Sequence, residues 1–92
     1  MNRDQVLAAH LLRTLARAQA AGHVTNLDTL SATLGVRRGD IRSTLSRLHR
    51  EGHVDVAKMR VTWSGLALAT ALRGTKLPLL RPRATGPATI AA

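Results

Sequence analysis

The chain has no cysteine, no phenylalanine and no tyrosine, and Trp63 is its single aromatic residue. Without cysteine there is no disulfide framework and no thiolate metal site, in keeping with a reducing cytoplasm. One aromatic ring does not make a stacking platform, which argues against a reader of single strands or RNA. Acidic residues are also scarce, 5 against 14 Lys+Arg, for a formal charge of +9 and a pI near 12.0. The carboxylates Asp4, Asp28, Asp40, Glu51 and Asp55 are scattered, and none forms the acid/base pair a hydrolase needs. No glycine-rich loop is placed to cradle a phosphate. No apolar run approaches the length that spans a bilayer, and the opening MNRDQ lacks the apolar segment of a signal peptide. An enzyme and a membrane partner are therefore not expected.

Ninety-two residues allow one domain with one modest core. The basic excess asks for a polyanionic partner, nucleic acid or an anionic membrane surface. It falls mainly between Arg37 and Arg60 and again in the C-terminal tail.

The organising stretch is Leu27 to Val54, LDTLSATLGVRRGDIRSTLSRLHREGHV. Leu27, Leu30 and Leu34 have helical spacing, with Asn26 placed to cap and Asp28 in the first turn. Gly35 ends this helix, since glycine takes the left-handed conformation at little cost. Val36 is the buried anchor of the turn. A second helix, about 38–51, carries Ile41, Leu45 and Leu48 on one stripe and stops at Gly52. Its opposite face holds Gly39, Ser43, Ser46 and Arg50, flanked by Arg42 and Arg47. Small hydroxyls and arginines suit phosphates and base edges.

LSATLGV followed by IRSTLSRLHREGHV, and later VTWSGLAL, resembles the helix-turn-helix of MarR-like winged-helix regulators over Leu27 to Leu72. The Gly35, Gly52 and Gly65 spacings carry most of the resemblance. It implies a mainly α winged helix-turn-helix fold with a small β-hairpin, whose second helix enters the major groove. Arg37 stands where that family usually has a Ser or Asp cap, which leaves the start of the recognition helix open.

The remaining elements follow in order. Arg3 to Ala21 reads as a first helix, with Asn2 and Gln5 in a capping-box pattern and Gly22 closing it. Its stripe is Leu7, Leu11, Leu15 and Ala18, leaving Val6 and Leu12 outside. Arg13 and Arg17 read as ordinary solvated charges. Val24 is a candidate short strand beside the hairpin. His53–Ala57 and Arg60–Trp63 alternate with period two around Lys58-Met59, a hairpin with a minimal turn whose tip offers Lys58 and Arg60, at 58–60, to a duplex. Thr62 caps a last helix, Trp63 to Arg73, ended by Gly74. Leu66 projects to one side of it and Leu68 and Leu72 to nearly the opposite side. A symmetry mate over Leu12, Leu68 and Leu72 is the simplest cover for the second side; the alternative is that Leu77, Leu79 and Leu80 fold back over it. Residues 1–74 thus form the domain. Residues 75–92, with three Pro and with Lys76, Arg81 and Arg83, read as an extended or disordered basic tail, with a minor-groove arm as the rarer use of such a segment.

His49 and His53 stand four apart, but Gly52 interrupts the helix between them and no Cys or acidic cluster completes a site, so no metal or cofactor is expected. The leading expectation is a sequence-specific regulator of double-stranded DNA, bacterial in style, homodimeric, cytoplasmic and nucleoid-associated. Its DNA-contacting residues are Arg37, Arg38, Arg42, Ser43, Ser46, Arg47, Arg50, Lys58 and Arg60. The alternative is a winged-helix module that contacts another DNA-binding protein or a polymerase. A third reading, RNA or ribosome association, rests on charge alone.

Overall fold

The computed structural model describes residues 2–74, 76–78 and 80. These form α1 (Arg3–Ala20), α2 (Leu27–Leu34), α3 (Arg38–Arg50), β1 (Val54–Asp55), β2 (Arg60–Val61) and α4 (Trp63–Ala71). Among the described residues the chain is mainly helical, with one two-stranded antiparallel sheet.

α1 starts in the expected capping box: Asn2 Oδ1 accepts from Gln5 N at 2.8 Å, and Asn2 N donates to Gln5 Oε1 at 3.0 Å. Leu7, Leu11 and Leu15 are buried, but so are Leu12 and Val6, which the single stripe leaves out. The reason is that α1 is the central element, packed against α3, β2 and α4 together. A helix with neighbours on several sides buries an arc wider than one stripe.

In α2 the Asn26 side chain accepts from Thr29 N at 2.8 Å. Gly35 takes φ +65°, where a side chain is strained, and the Ser31 hydroxyl donates to the Val36 carbonyl at 2.6 Å. That bond and the buried Val36 side chain fix the turn into α3. α3 begins at Arg38, and the N-cap residue Arg37 makes no capping bond with its side chain. The carboxylate of Asp40 supports this helix start: its Oδ2 lies 3.5 Å from Arg37 Nε and 3.6 Å from Arg3 Nη2, tying the start of α3 to that of α1.

The hairpin is shorter than its alternation predicts, with Val54 opposite Val61 and Asp55 opposite Arg60. Asp55 Oδ1 accepts from the amides of Ala57 at 3.0 Å and Lys58 at 3.3 Å, so the side chain diverts the backbone into a turn over 56–59. Met59 closes that turn at φ +52°. Val24 forms no strand and is 91% exposed. Instead Val61 N donates to Gln19 Oε1 at 3.2 Å, so an α1 side chain stands where a third strand was expected.

Thr62 caps α4 by accepting from Gly65 N at 3.2 Å, and its hydroxyl donates to the Gly52 carbonyl at 2.5 Å. Gly65 is buried, and a Cβ there would collide with the backbone carbonyl of His53. This close approach is the physical content of the T-x-x-G pattern. α4 ends at Ala71, before the expected Arg73. The described part of the segment after it packs: Leu77 is buried, Leu80 packs against the core, and His10 Nε2–H donates to the Pro78 carbonyl at 2.7 Å. The tail thus begins along α1, and Leu68 on α4 stays 41% exposed. Leu79, Arg81 and Arg83 lie outside the described residues. Among the described residues no helix is long and apolar enough to cross a membrane.

Candidate nucleic-acid interface

Ile41, Thr44, Leu45 and Leu48 bury one side of α3, which turns Arg42, Ser43, Ser46 and Arg50 outward. The arginines assigned from sequence fall into three settings. Arg42 is exposed and lines an apolar notch of about 270 Å³ with Leu45, Ser46, Val56 and Met59, beside the hairpin turn. Arg50 is exposed near the helix end, and neither Arg42 nor Arg50 has an ion pair among the described residues. Arg37 and Arg38, at the helix start, are held by carboxylates: Arg37 by Asp40, and Arg38 by Asp28, with Nη1 to Oδ1 at 2.6 Å.

The Arg38–Asp28 pair is open to water, with side chains 62% and 75% exposed. An exposed pair of this kind contributes about 0–1 kcal/mol, so a phosphate can replace the carboxylate at small cost. Arg47 differs. It is half-buried on the α1 flank, and its Nη2 donates to the Asp4 carbonyl at 3.3 Å. The structure therefore separates Arg47 from the open face that carries Arg42.

Lys58 is exposed on the hairpin turn. Arg60 is exposed too, but it borders a cleft with Gln19, Trp63 and Leu66, on the α1–α4 side. Of the two hairpin cations, Lys58 is thus exposed on the turn itself, and Arg60 belongs to the neighbourhood of α1 and α4.

Leu12, Leu68 and Leu72 do come together, in a groove of about 630 Å³ between α1 and α4 that Ala8 and Ala9 also line. Leu12 is only 4% exposed and forms the floor, leaving Leu68 and the half-buried Leu72 as the accessible apolar surface. The two histidines take separate partners. His49 Nδ1 lies 3.0 Å from the Val54 carbonyl oxygen and 3.4 Å from Val56 N, and His53 Nδ1 lies 2.7 Å from Ser64 Oγ.

A second basic surface escaped the sequence reading. Arg13 and Arg17 line a cleft of about 460 Å³ together with Arg73 and Lys76. Their one-turn spacing on α1 was visible, but the partners come from the other end of the chain. Only the packing of α4 on α1 unites them. No family model matches the chain, and neither the curated proteins nor the solved structures give a match.

Proposed function

We propose that the chain is a winged helix-turn-helix transcriptional regulator that binds double-stranded DNA sequence-specifically, with α3 in the major groove and the turn 56–59 as a short wing. One observation carries this reading: α3 anchors one face in the core and turns outward Arg42, Ser43, Ser46 and Arg50, with no carboxylate among them. Arg42 is the base reader in this scheme, because it is exposed at the notch it lines with Leu45, Val56 and Met59 and has no ion pair among the described residues. Bidentate recognition of a guanine edge is the contact an arginine so placed makes best. Arg37, Arg38, Arg50 and Lys58 hold phosphates. Two copies joined through Leu68 and Leu72 would place two α3 helices on one duplex, half-sites about one helical turn apart. Cytoplasmic, nucleoid-associated action without a cofactor goes with this reading.

The open α1–α4 groove favours a second reading, in which the same fold contacts another protein. Selection from a randomised duplex pool separates the two. DNA binding predicts an enriched motif, and Arg42→Ala relaxes one base pair of it at a cost of about 1–3 kcal/mol, while Arg50→Ala weakens all sequences alike. A pool that emerges without any motif removes sequence-specific binding.

A further inference from the structure

We propose that the strip along α1 and α4, from Trp63 to Lys76, docks an acidic, apolar-studded segment of a partner protein. Two clefts make the strip, one of about 330 Å³ and one of about 460 Å³, and Leu66 lines both. At one end stands Trp63, 87% exposed. A tryptophan left in water is the residue type that gains most when a partner covers it. The floor beyond it is Ala16, Ala20 and Ala69, whose small side chains admit close approach of a peptide backbone. Arg17 borders one side, Arg73 and Lys76 the other, and Arg60 sits beside Trp63.

Charge identifies the occupant. Asp28 and Asp40 pair with arginines at the start of α3, and Asp55 folds into the hairpin turn. Asp4 and Glu51 border the separate Leu68 groove. None of the five carboxylates in the chain lines either cleft of the strip. A second copy would set this basic strip against its own equal. Residues 81–92 contain Arg81 and Arg83 and no acidic side chain, so that stretch carries the same sign of charge as the strip. An acidic segment with interspersed apolar residues matches both the rims and the floor.

The strip also lies away from α3. On α1, Arg13, Arg17 and Ala20 point roughly opposite to Leu7, Leu11 and Leu15, which pack with Ile41, Leu45 and Leu48 of α3. A duplex on the outer face of α3 leaves the strip open, and the proposal does not depend on DNA binding.

The test is to pan a display library of random peptides, roughly 12 residues long, against the full chain and to titrate the enriched peptides by the emission of Trp63, the only tryptophan. Enriched sequences interleave Asp or Glu with large apolar residues. They bind Arg17→Glu/Arg73→Glu about tenfold or more weakly, and Arg42→Ala/Arg50→Ala within about twofold of wild type. Thermal melts confirm that these surface variants fold, and Arg17→Gln/Arg73→Gln repeats the test with a milder change. The proposal fails if no acidic sequences are enriched, or if the strip variants bind the peptides as well as wild type does. It fails equally if random duplex DNA, rather than peptide, is what the strip variants cease to bind. Duplex affinity measured on the same variants by polarisation keeps the DNA reading under separate trial.

Discussion

The outer face of α3 and the α1–α4 strip are both basic, and they differ in where the acids sit. At α3, Asp28 and Asp40 stand at the margin and hold Arg38 and Arg37, while the centre of the face is left to Ser43, Ser46 and Arg42, which has no ion pair among the described residues. Along the strip there is no carboxylate among the described residues, the floor is apolar, and an exposed tryptophan occupies one end. The first arrangement orients cations on a convex, hydroxyl-bearing helix, which suits phosphates and base edges. The second borders a concave apolar floor with Arg17, Arg73 and Lys76, which suits an acidic chain. Net charge alone treats the two as equivalent; the placement of a few carboxylates and of Trp63 tells them apart.

The sharpest way to break this comparison is to strip each face in turn and measure duplex affinity. Arg42→Ala/Arg50→Ala should lose about 2–4 kcal/mol, roughly 30- to 1000-fold, because one base contact and one phosphate contact go together. Arg17→Ala/Arg73→Ala should change the same affinity by less than about threefold at 0.15 M salt, where charges beyond about 8 Å are largely screened. The reverse ranking would exchange the roles of the two faces.

Next in size is Gly65→Ala. The added methyl meets the His53 carbonyl and pushes α4, one wall of the strip, away from the hairpin. Chemical denaturation should show a loss of about 1–3 kcal/mol, and below the transition peptide docking should suffer more than DNA binding. An unchanged midpoint would mean that α4 does not rest on that carbonyl.

Leu68→Glu comes after it, acting on the groove between the two faces. Leu68 is already 41% exposed, so the fold should persist. Sedimentation should show a dimeric wild type and a monomeric variant, with affinity for a two-half-site duplex down about tenfold and a half-site bound as before. A wild type that sediments as a monomer at micromolar concentration would remove the dimer.

The smallest effect is expected from Asp28→Asn, which frees Arg38 and removes a negative charge beside the interface. Stability should fall by less than about 1 kcal/mol, and duplex affinity should rise slightly at low salt. A fall in affinity would show that Asp28 positions Arg38 rather than merely neutralising it.

What the sequence made legible was local. Asn2, Asn26 and Thr62 cap as read, and Gly35 takes the left-handed turn, because each depends on neighbours within a few residues. The exposed stripe of α3 was likewise fixed by the spacing of Ile41, Leu45 and Leu48. The misreadings came from tertiary packing. Leu12 lies off the α1 stripe yet is buried, because α1 has neighbours on several sides. Val24 lost its strand to a side chain of α1, Gln19. Arg47 matches Arg42 on the helix wheel, and what the wheel does not show is the bond from its Nη2 to the Asp4 carbonyl on α1. The strip was invisible for the same reason, since Arg17 and Arg73 meet only through the packing of α4 on α1.

The most direct test of the central claim, that α3 presents its arginines to a duplex, is a polarisation titration with duplex DNA at 50 and 200 mM salt. About four phosphates neutralised by Arg37, Arg38, Arg50 and Lys58 predict that affinity falls roughly 150-fold between the two, and that Arg50→Ala reduces the slope by about one counterion. A binding curve that does not move with salt, or no binding at 50 mM, would contradict it.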